Sequence, residues 1–261
     1  MSAPAATPSW TGAWPEPFAV TWVAETGSTN ADLVVQARSG AAHGTVLVAD
    51  HQTAGRGRLG RSWQAPPGSA LLCSILLRPE PTAVIHGAVW AVALAAQSAV
   101  ATLTGVTPEL KWPNDLMVGE RKLAGVLAEG VTDPGDPLTL SGVVVGIGLN
   151  VGWAEPPREV AARAITVEEL GARPVDRHVL LERLLTDLAP LVELWIDTPD
   201  ELHAEYRSRL DTLGRAVRVD MGDRLLSGTA VDVTADGLAI RLADGTEQLV
   251  LAGDVVHLRP A

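Results

Sequence analysis

The sequence contains little cysteine and no motif that would use it. Its 261 residues include a single cysteine, Cys73, so no internal disulfide can form. There is no C-x-x-C pair either, and the usual ligand spacing of a structural zinc site is therefore missing. Both absences fit a reducing compartment, and we expect a cytoplasmic protein.

Positive charge is also scarce. Twenty basic side chains stand against 31 acidic ones, which gives a formal net charge of -11. Such a surface repels polyanions and disfavours non-specific nucleic-acid binding, so we expect no DNA partner. Any chemistry on a phosphate group would need a local cluster of basic residues.

Targeting and membrane-spanning segments are not evident in the sequence. The first fifteen residues contain no Lys or Arg and no apolar run, as a signal peptide would require. The longest apolar stretch, residues 87–96, is about half of the ~20 residues that a membrane span needs. Apolar residues make up 47% of the chain and charged residues 20%, which predicts a soluble globular protein with no membrane partner. The stretch is then expected to be a buried, alanine-rich helix.

Residue patterns divide the chain into three segments. Residues 1–17 are rich in Ala, Pro, Ser and Thr and predict a mobile tail, which Trp10 and Trp14 could anchor. Residues 18–213 mix strand and helix patterns, and residues 214–261 show short strands between turn signals, typical of a small β-barrel. Strands are predicted at 19–25, 45–50, 71–77, 109–112 and 140–151, a hairpin turn at 119–120, and helices at 29–38, 87–96, 176–188 and 199–213.

Arginines and glycines alternate in a loop between two predicted strands. Residues 55–60, Gly-Arg-Gly-Arg-Leu-Gly, match the G-x-G-x-x-G fingerprint, but the prolines at 66–67 exclude the long helix that a dinucleotide site needs. What remains is a flexible backbone with Arg56, Arg58 and Arg61, which is suited to folding around an anion. For this segment alone, a solvated charged loop is the preferred alternative.

The two lysines of the chain lie eleven positions apart. Since eighteen of the twenty basic residues are Arg, the presence of Lys111 and Lys122 in one short window indicates a site that requires an ammonium group. A compact point charge can bridge a carboxylate and a phosphate oxygen where a planar guanidinium does not fit. The alternative is two ordinary surface lysines.

Two further segments offer groups that could bind a ligand. Asn114 and Asp115 provide oxygen atoms suited to Mg²⁺, although the same pair is also an ordinary turn signal. Gly146 and Gly148 end a buried strand and allow a ligand to approach the backbone, and packing against a helix explains them equally well. The chain has no Walker A motif, so a nucleotide would be held by an unrelated loop.

These segments together resemble the biotin protein ligases. The resemblance covers about 125 residues in the family's order, and its five motifs are Gly27-Ser28-Thr29-Asn30, residues 51–63, Lys111-Trp112-Pro113-Asn114-Asp115-Leu116, residues 122–127 and residues 146–151. It implies an α+β fold, a class II synthetase-like mixed β-sheet flanked by helices, with a small C-terminal SH3-like β-barrel. It also implies that biotin and ATP, with Mg²⁺, form biotinyl-5′-AMP, which then acylates one lysine of a carboxylase's biotin carboxyl carrier domain.

The resemblance implies roles for the matching residues on the biotin side of the site. Ser28, Thr29 and Asn30 would hydrogen-bond the ureido group of biotin, and Gln52 would lie against its bicyclic ring. The other residues that would contact biotin or its carboxylate are Arg56, Gly57, Arg58, Trp63, Lys122 and Gly125.

On the nucleotide side, the resemblance implies that Lys111 stabilises the charge that develops as pyrophosphate leaves. Arg56 and Lys122 would be the other catalytic residues, and Asn150 would lie near the adenine. The residues that would contact ATP or the adenylate are Arg56, Arg58, Arg61, Asn114 and Asn150, and those that would hold Mg²⁺ are Asn114 and Asp115.

Two alternatives to a biotin ligase stay open, a ligase for lipoate or another acyl group and a non-catalytic nucleotide-binding module. About twenty residues precede the first predicted strand, too few for the DNA-binding winged helix of some family members, so repressor activity is not expected. A homodimer is compatible with the sequence.

Overall fold

Two β-sheets organise the chain in the computed structural model, which describes residues 12–79, 85–133, 135–154, 156, 158–171, 173–221, 224–251 and 254–257. The strands of the first sheet are β1 (Ala19–Thr26), β2 (Thr45–Gln52), β3 (Ala70–Leu77), β4 (Glu109–Lys111), β5 (Asp115–Val118), β6 (Arg121–Asp133) and β7 (Asp136–Asn150). The helices are α1 (Thr29–Arg38), α2 (Ile85–Thr104), α3 (Arg158–Ala161), α4 (Val167–Gly171), α5 (Arg177–Asp197) and α6 (Pro199–Arg209). The second sheet contains β8 (Ala216–Asp220), β9 (Leu225–Val233), β10 (Leu238–Arg241), β11 (Glu247–Val250) and β12 (Asp254–His257).

The first sheet is mixed, with the strand order β1-β2-β3-β7-β6-β5-β4. β1 and β2, which α1 connects, pair in parallel, and the remaining neighbouring strands pair antiparallel. The second sheet has the order β11-β10-β9-β8-β12 and is antiparallel throughout. A mixed sheet flanked by helices, followed by a small all-β unit, confirms the predicted fold class.

The helix α2 lies at the centre of the core. It packs against α5, and its small residues permit a close approach, since a Cβ atom at Gly87 would lie 2.2 Å from Cδ1 of the buried Trp195. Among the described residues, α2 alone has the length and apolar composition of a membrane span, and 78% of that window is buried inside the fold. The predicted buried, alanine-rich helix is confirmed, and it extends beyond 87–96 because the apolar positions continue on both sides.

The first turn of α1 brings three polar residues into the interior. Ser28 caps the helix, with extended backbone and a side-chain oxygen that accepts a hydrogen bond from N of Ala31. Ser28, Thr29 and Asn30 are each at most 5% exposed. The predicted helix over 29–38 is confirmed, and its capping motif lies against the sheet instead of in solvent.

The last helix before the second sheet is shorter than the sequence predicts. The pattern predicts a helix over 199–213, whereas α6 ends at Arg209 and Leu210 forms a parallel bridge with Leu110 of β4. Backbone hydrogen bonds to a strand a hundred residues away replace the hydrogen bonds of a helix here. The sequence near residue 210 carries no pattern that would reveal so distant a partner.

The predicted N-terminal tail falls partly outside the described residues. Residues 1–11, with Trp10, lie outside them. Trp14 packs against the core and stacks on the ring of His178, with the two centroids 6.3 Å apart. One of the two predicted anchors therefore contacts the fold.

Candidate functional site

Strand register brings residues from distant segments to one face of the first sheet. Lys111 on β4 pairs with Asp115 on β5, Asp115 with Gly125 on β6, and Gly125 with Gly148 on β7. Directly paired residues of adjacent strands point to the same side. These four positions therefore share one face, which we call the site face, while the intervening apolar residues point into the core.

A cavity opens on the site face beside the first turn of α1, and we call it the first cavity. Seven of its twelve lining residues are among those predicted to contact biotin, namely Ser28, Thr29, Asn30, Gln52, Arg56, Trp63 and Gly125. The fold thus assembles residues from three separate sequence motifs around one space.

Asn30 has nearly all of its hydrogen-bonding capacity occupied in the first cavity. Its Nδ2 donates to O of Leu127 at 3.2 Å and to Oε2 of Glu129 at 2.8 Å. Its Oδ1 lies 2.7 Å from Oγ of Ser74, which donates to it. Both amide hydrogens are used, and one lone pair remains on the oxygen. Asn30 can therefore accept a hydrogen bond from a ligand N–H group but has none left to donate.

Thr29 and Gln52 are fixed by a second set of hydrogen bonds. Oε1 of Gln52 accepts from N of Thr29 at 2.7 Å and from its hydroxyl at 3.0 Å. The buried hydroxyl of Ser74 also lies 2.7 Å from Oγ1 of Thr29. The polar lining is ordered before any ligand binds, which lowers the entropic cost of binding.

Two glycines on β7 make room for side chains at the site face. A Cβ atom at Gly146 would lie 2.1 Å from Oδ1 of Asn30, and one at Gly148 would lie 2.5 Å from Cε2 of Trp63. Gly146 therefore admits a side chain of the packed helix α1, one of the two explanations left open by the sequence. Gly148 admits the ring of Trp63, which belongs to the arginine- and glycine-rich loop of residues 52–63, called the Arg-Gly loop below.

Trp63 and Lys122 lie together at the border of the first cavity. Nζ of Lys122 is 2.6 Å from Oδ1 of Asp115 and 5.6 Å from the centroid of the Trp63 ring. Trp63 also lines a second, more open cavity, together with Lys122, Asn150 and Arg163. The second cavity and the first therefore meet at one aromatic residue with an ammonium group beside it.

The Arg-Gly loop forms a tight hairpin above the site face. N of Gly57 donates to O of Arg61 at 2.7 Å, and Leu59 has a positive φ of 55° at the tip. Arg56 reaches Oε1 of Glu129 at 3.4 Å, and this cation lines the first cavity. The loop therefore has a defined conformation in this structure.

The other two arginines of the loop point elsewhere. Nη1 of Arg58 lies 3.5 Å from Oδ1 of Asn114, so Arg58 faces the Lys111 motif. Nε of Arg61 donates to O of Arg58 at 3.3 Å and thus turns back onto its own loop. The structure brings Arg56 and Arg58 to the site, whereas Arg61 supports the loop that carries them.

The two residues predicted to hold Mg²⁺ have different surroundings. Asp115 is ion-paired with Lys122 at 2.6 Å. Asn114 donates from Nδ2 to O of Val126 at 2.7 Å, which leaves its Oδ1 with only the long contact to Arg58. The described residues contain no cluster of three His, Cys, Asp or Glu side chains that could hold a metal ion. Mg²⁺ is usually held by one or two carboxylates plus substrate phosphates, so Asp115 would have to release Lys122 to take this role, and Asn114 could add its amide oxygen.

Asn150 is tied into the fold at the end of β7. It is 6% exposed, and its Nδ2 lies 3.2 Å from O of Lys122 and 3.2 Å from O of Ile165. These bonds join two strands to the segment before α4. Asn150 lines the second cavity, and both of its amide hydrogens are already used.

Lys111 lies on the site face at the edge nearest the second sheet. Burial, followed by the positive charges of Lys111 and Arg215, lowers the pKa of His257 on β12 to about 4, against an opposing effect of Asp211. At neutral pH the ring beside Lys111 is therefore uncharged.

Stability should depend on pH through His257. The unfolded ring titrates near pH 6.5 and the folded ring near pH 4, so the unfolded chain binds the proton first as the pH falls. This contribution is present above pH 7 and is lost between pH 6.5 and 4, with a change of about 2 kcal/mol between pH 7 and pH 5. Urea unfolding at both pH values should show the His257→Gln variant losing that much less stability than the wild type. Equal losses in the two proteins would contradict the assignment.

Four residues near the site were missed by sequence reasoning. Ser74 could have been found, because it is a polar residue inside the apolar strand Leu-Leu-Cys-Ser-Ile-Leu-Leu. Glu129 shares the period-two spacing of Gly125 and faces the same side. Thr212 and His257 lie a hundred residues or more after Lys111, and no sequence signal connects them to it.

Comparisons with known proteins agree with this geometry. Residues 26–150 match the Biotin/lipoate A/B protein ligase family, and residues 212–258 match the Biotin protein ligase C terminal domain. The biotin--[acetyl-CoA-carboxylase] ligase of Mycobacterium tuberculosis is 42% identical over 244 residues, which are 91% of this chain and 88% of that relative. The bifunctional ligase/repressor BirA of Escherichia coli is 31% identical over 219 residues, which are 81% of this chain and 66% of that relative.

Solved structures show the same similarity. The biotin protein ligase from Aquifex aeolicus in complex with biotin and ATP is 30% identical and superposes with a TM-score of 0.78. The superposition covers 92% of this chain and 99% of that one. The similarity thus extends over both sheets and is not confined to the motifs around the cavity.

Proposed function

The chain belongs to the biotin protein ligase family and is a ligase, and we propose that it joins biotin to one lysine of a carboxylase's biotin carboxyl carrier domain, through biotinyl-5′-AMP made with ATP. The first cavity carries this proposal, because its ordered polar lining meets the second cavity at Trp63, with Lys122 beside that ring. Such an arrangement can hold an uncharged polar head group in one space and bring its acid end to a nucleotide in the other.

The hydrogen-bonding capacity left in the first cavity matches a cyclic urea. A urea has one oxygen that accepts hydrogen bonds and two N–H groups that donate them. The lone pair left on Asn30 suits a ureido N–H, and the hydroxyl of Ser28, whose oxygen already accepts from N of Ala31, can donate to the ureido oxygen. Thr29 is held by Gln52 next to them. The bicyclic ring would then lie between Gln52 and Trp63.

The first chemical step joins two anions, so the cations around the border decide its rate. A carboxylate oxygen of biotin attacks the α-phosphorus of ATP, an O–P bond forms, and the bond to the bridging oxygen breaks as pyrophosphate leaves. Arg56, Gly57 and Arg58 would enclose the carboxylate and α-phosphate, and Lys122 would hold the carboxylate. Lys122 would exchange its partner Asp115 for the ligand.

Negative charge increases on the leaving pyrophosphate during this step. Lys111, on the same face and three residues before Asn114, would stabilise that charge. Asn114 would contribute a ligand to Mg²⁺, which neutralises phosphate charge when it is bound with the nucleotide. Asn150 and the second cavity would take the adenine side, with Trp63 between the nucleoside and the biotin ring.

Transfer completes the reaction. The neutral amine of the acceptor lysine attacks the acyl carbon of biotinyl-5′-AMP, a C–N bond forms, the C–O bond breaks, and AMP leaves while the amine loses a proton. The protein needs no nucleophile of its own in either step. Cys73 is not needed as a nucleophile, and its thiol is fully buried and has its pKa raised by burial.

A direct assay separates this function from its alternatives. The purified chain is incubated with Mg²⁺, ATP labelled at the α-phosphate, and either biotin or lipoate, and adenylate and pyrophosphate are measured. Adenylate with biotin but not lipoate, followed by transfer to a purified biotin carboxyl carrier domain, is expected. Adenylate with lipoate alone would indicate the other acyl ligase, and ATP binding without adenylate would indicate a binding module.

The Arg-Gly loop should be protected from hydrogen exchange by ligand. Without an anion, the positive charges of Arg56, Arg58 and Arg61 repel one another and the loop glycines make the backbone flexible, so we expect the hairpin to open frequently in solution. Biotin's carboxylate, and then the adenylate phosphate, supplies the missing charge and would close the loop with Trp63 over a mixed anhydride that water hydrolyses. Amide exchange across residues 52–68 should therefore slow strongly on adding biotin and ATP. Equal protection with and without ligands would show a preformed loop and remove closure from the mechanism.

Sequence-specific DNA binding is not expected of this chain. The net charge of -11 opposes contact with a polyanion, and the matched family segments are those of the ligase and its C-terminal domain. Fluorescence anisotropy with operator-length duplexes at physiological salt should show only weak, unsaturable binding. Nanomolar, sequence-dependent binding would contradict this expectation.

Further properties predicted from the sequence extend the proposal. We place the domain boundary near Gly214, with a tail over 1–17, a catalytic domain over 18–213 and a C-terminal domain over 214–261. The positive φ of Gly214, 79°, and its position between α6 and β8 support this boundary. A cytoplasmic location and a homodimer stay predictions, to be checked by fractionation and by light scattering.

A further inference from the structure

The segment between α6 and the second sheet is bonded to the open edge of β4. N of Asp211 donates to O of Leu110 at 2.9 Å. Two residues further along the chain, just past the end of β4, N of Trp112 donates to Oγ1 of Thr212 at 2.9 Å. These two hydrogen bonds hold the backbone immediately before and immediately after Lys111.

Thr212 carries this connection on to the C-terminal strand. Its side chain is completely buried, and Oγ1 also lies 3.1 Å from Nε2 of His257 on β12. Because Oγ1 accepts from Trp112, its hydrogen is available for Nε2, which accepts it only when the ring is neutral and carries its proton on Nδ1. Nδ1 faces Oδ2 of Asp211 at 3.8 Å. A chain of side-chain contacts thus links β12 to β4.

The charged groups that act on His257 come from two elements. Lys111 faces it from β4, and Asp211 and Arg215 face it from the connecting segment. Burial and the two cations lower the pKa of the ring, and it is uncharged at neutral pH. A protonated ring would repel the Lys111 ammonium. Its Nε2 would also carry a hydrogen, so the Thr212 hydroxyl would face a second donor and lose the acceptor for its own hydrogen.

We propose that Thr212 and His257 are positioning residues for Lys111. They hold the edge of β4 on both sides of Lys111 through hydrogen bonds and keep the His257 ring within electrostatic reach of its ammonium, so the second sheet takes part in adenylation without touching a ligand. The proposal rests on the proposed function, in which Lys111 stabilises the leaving pyrophosphate. Small displacements of a catalytic group slow reactions by up to about a hundredfold, and partial loss of this support should cost about tenfold.

Paired substitutions test the hydrogen-bond chain. Thr212→Val removes the hydroxyl at nearly constant volume and Thr212→Ser retains it, while His257→Leu removes the acceptor and His257→Gln retains one. Single-turnover adenylate formation should fall about tenfold in Thr212→Val and His257→Leu, with the Kd for biotin changed less than twofold. Thr212→Ser and His257→Gln should stay within about threefold of the wild type. Lower unfolding stability with an unchanged single-turnover rate in both disruptive variants would overturn the proposal.

A titration that needs no catalysis tests the Lys111 contact independently. The ring protons of His257 are followed by NMR from pH 4 to pH 8 in the wild type and in Lys111→Met. Loss of the ammonium should raise the His257 pKa from about 4 toward its ordinary value. An unchanged pKa would show that Lys111 does not face the ring and would overturn the proposal. A wild-type chain that makes no adenylate would overturn the proposed function and the positioning role together, whereas normal adenylation in Thr212→Val would overturn only the positioning role.

Discussion

Replacing Lys111 by alanine is expected to slow the formation of biotinyl-5′-AMP by about a hundredfold while the Kd for biotin changes little. The ammonium lies on the site face beyond Asp115, away from the first cavity that would hold the biotin head group. Its charge is needed mainly as the phosphate groups become more negative, and losing one such interaction typically costs ~3 kcal/mol in the transition state. Single-turnover kinetics with saturating biotin and ATP, together with calorimetric titration of biotin, separate the two quantities.

Two comparisons control for the loss of a positive charge. Arg121 lies in the hairpin of β5 and β6 and forms an ion pair with Glu169 at the surface. The adenylation rate of Arg121→Ala should therefore stay within twofold of the wild type. Lys122→Ala should show the opposite pattern to Lys111→Ala, with biotin affinity falling strongly. If Lys111→Ala loses biotin affinity while the chemical step is unchanged, Lys111 binds the ground state and the roles of the two lysines are exchanged.

Substituting alanine for Gly146 is expected to weaken biotin binding by about a hundredfold. The new Cβ atom would lie 2.1 Å from Oδ1 of Asn30, a distance that forces Asn30 to move. Movement breaks its hydrogen bonds to Ser74, Glu129 and Leu127 and removes the lone pair offered to the ligand. The broken bonds lower the stability of the protein, whereas affinity falls because a buried N–H group of the ligand loses its acceptor, which costs about 1–3 kcal/mol, or up to about a hundredfold in Kd.

The matched control for this substitution is Gly27→Ala. No atom lies within 4 Å of the position that a Cβ atom would take at Gly27, and the residue has no left-handed φ. Calorimetry should therefore show a Kd for biotin within about threefold of the wild type, although Gly27 adjoins Ser28. Urea unfolding of both variants separates affinity from stability, since overpacking at Gly146 should also cost ~1–3 kcal/mol of stability. Unchanged biotin affinity in a folded Gly146→Ala protein would show that Asn30 does not contact the ligand.

Local sequence patterns were sufficient for most of the secondary structure. The capping residues at 28–30 and the stop near Gly40 predicted α1, because a helix N-terminus requires side-chain acceptors and these are local, and the structure identifies Ser28 as the N-cap. Short apolar runs bounded by turn residues likewise predicted β2 and β3, and Gly119-Glu120 predicted the hairpin turn. The longer α2 and the shorter α6 were misjudged at their ends, where tertiary packing and a distant strand decide the boundary.

The sequence by itself determined which residues have the chemistry for a ligase site, namely two lysines in an arginine-rich chain, an Arg-Gly loop and a capping Ser-Thr-Asn. Only the tertiary structure decided their partners. Strand register placed Lys111 in line with Gly148, the cavity left Asn30 with one free lone pair, and the second sheet put His257 beside Lys111. The physical reason is that hydrogen-bond capacity and electrostatic environment depend on neighbours that are far apart in the chain, whereas capping and periodicity depend on neighbours within one or two turns.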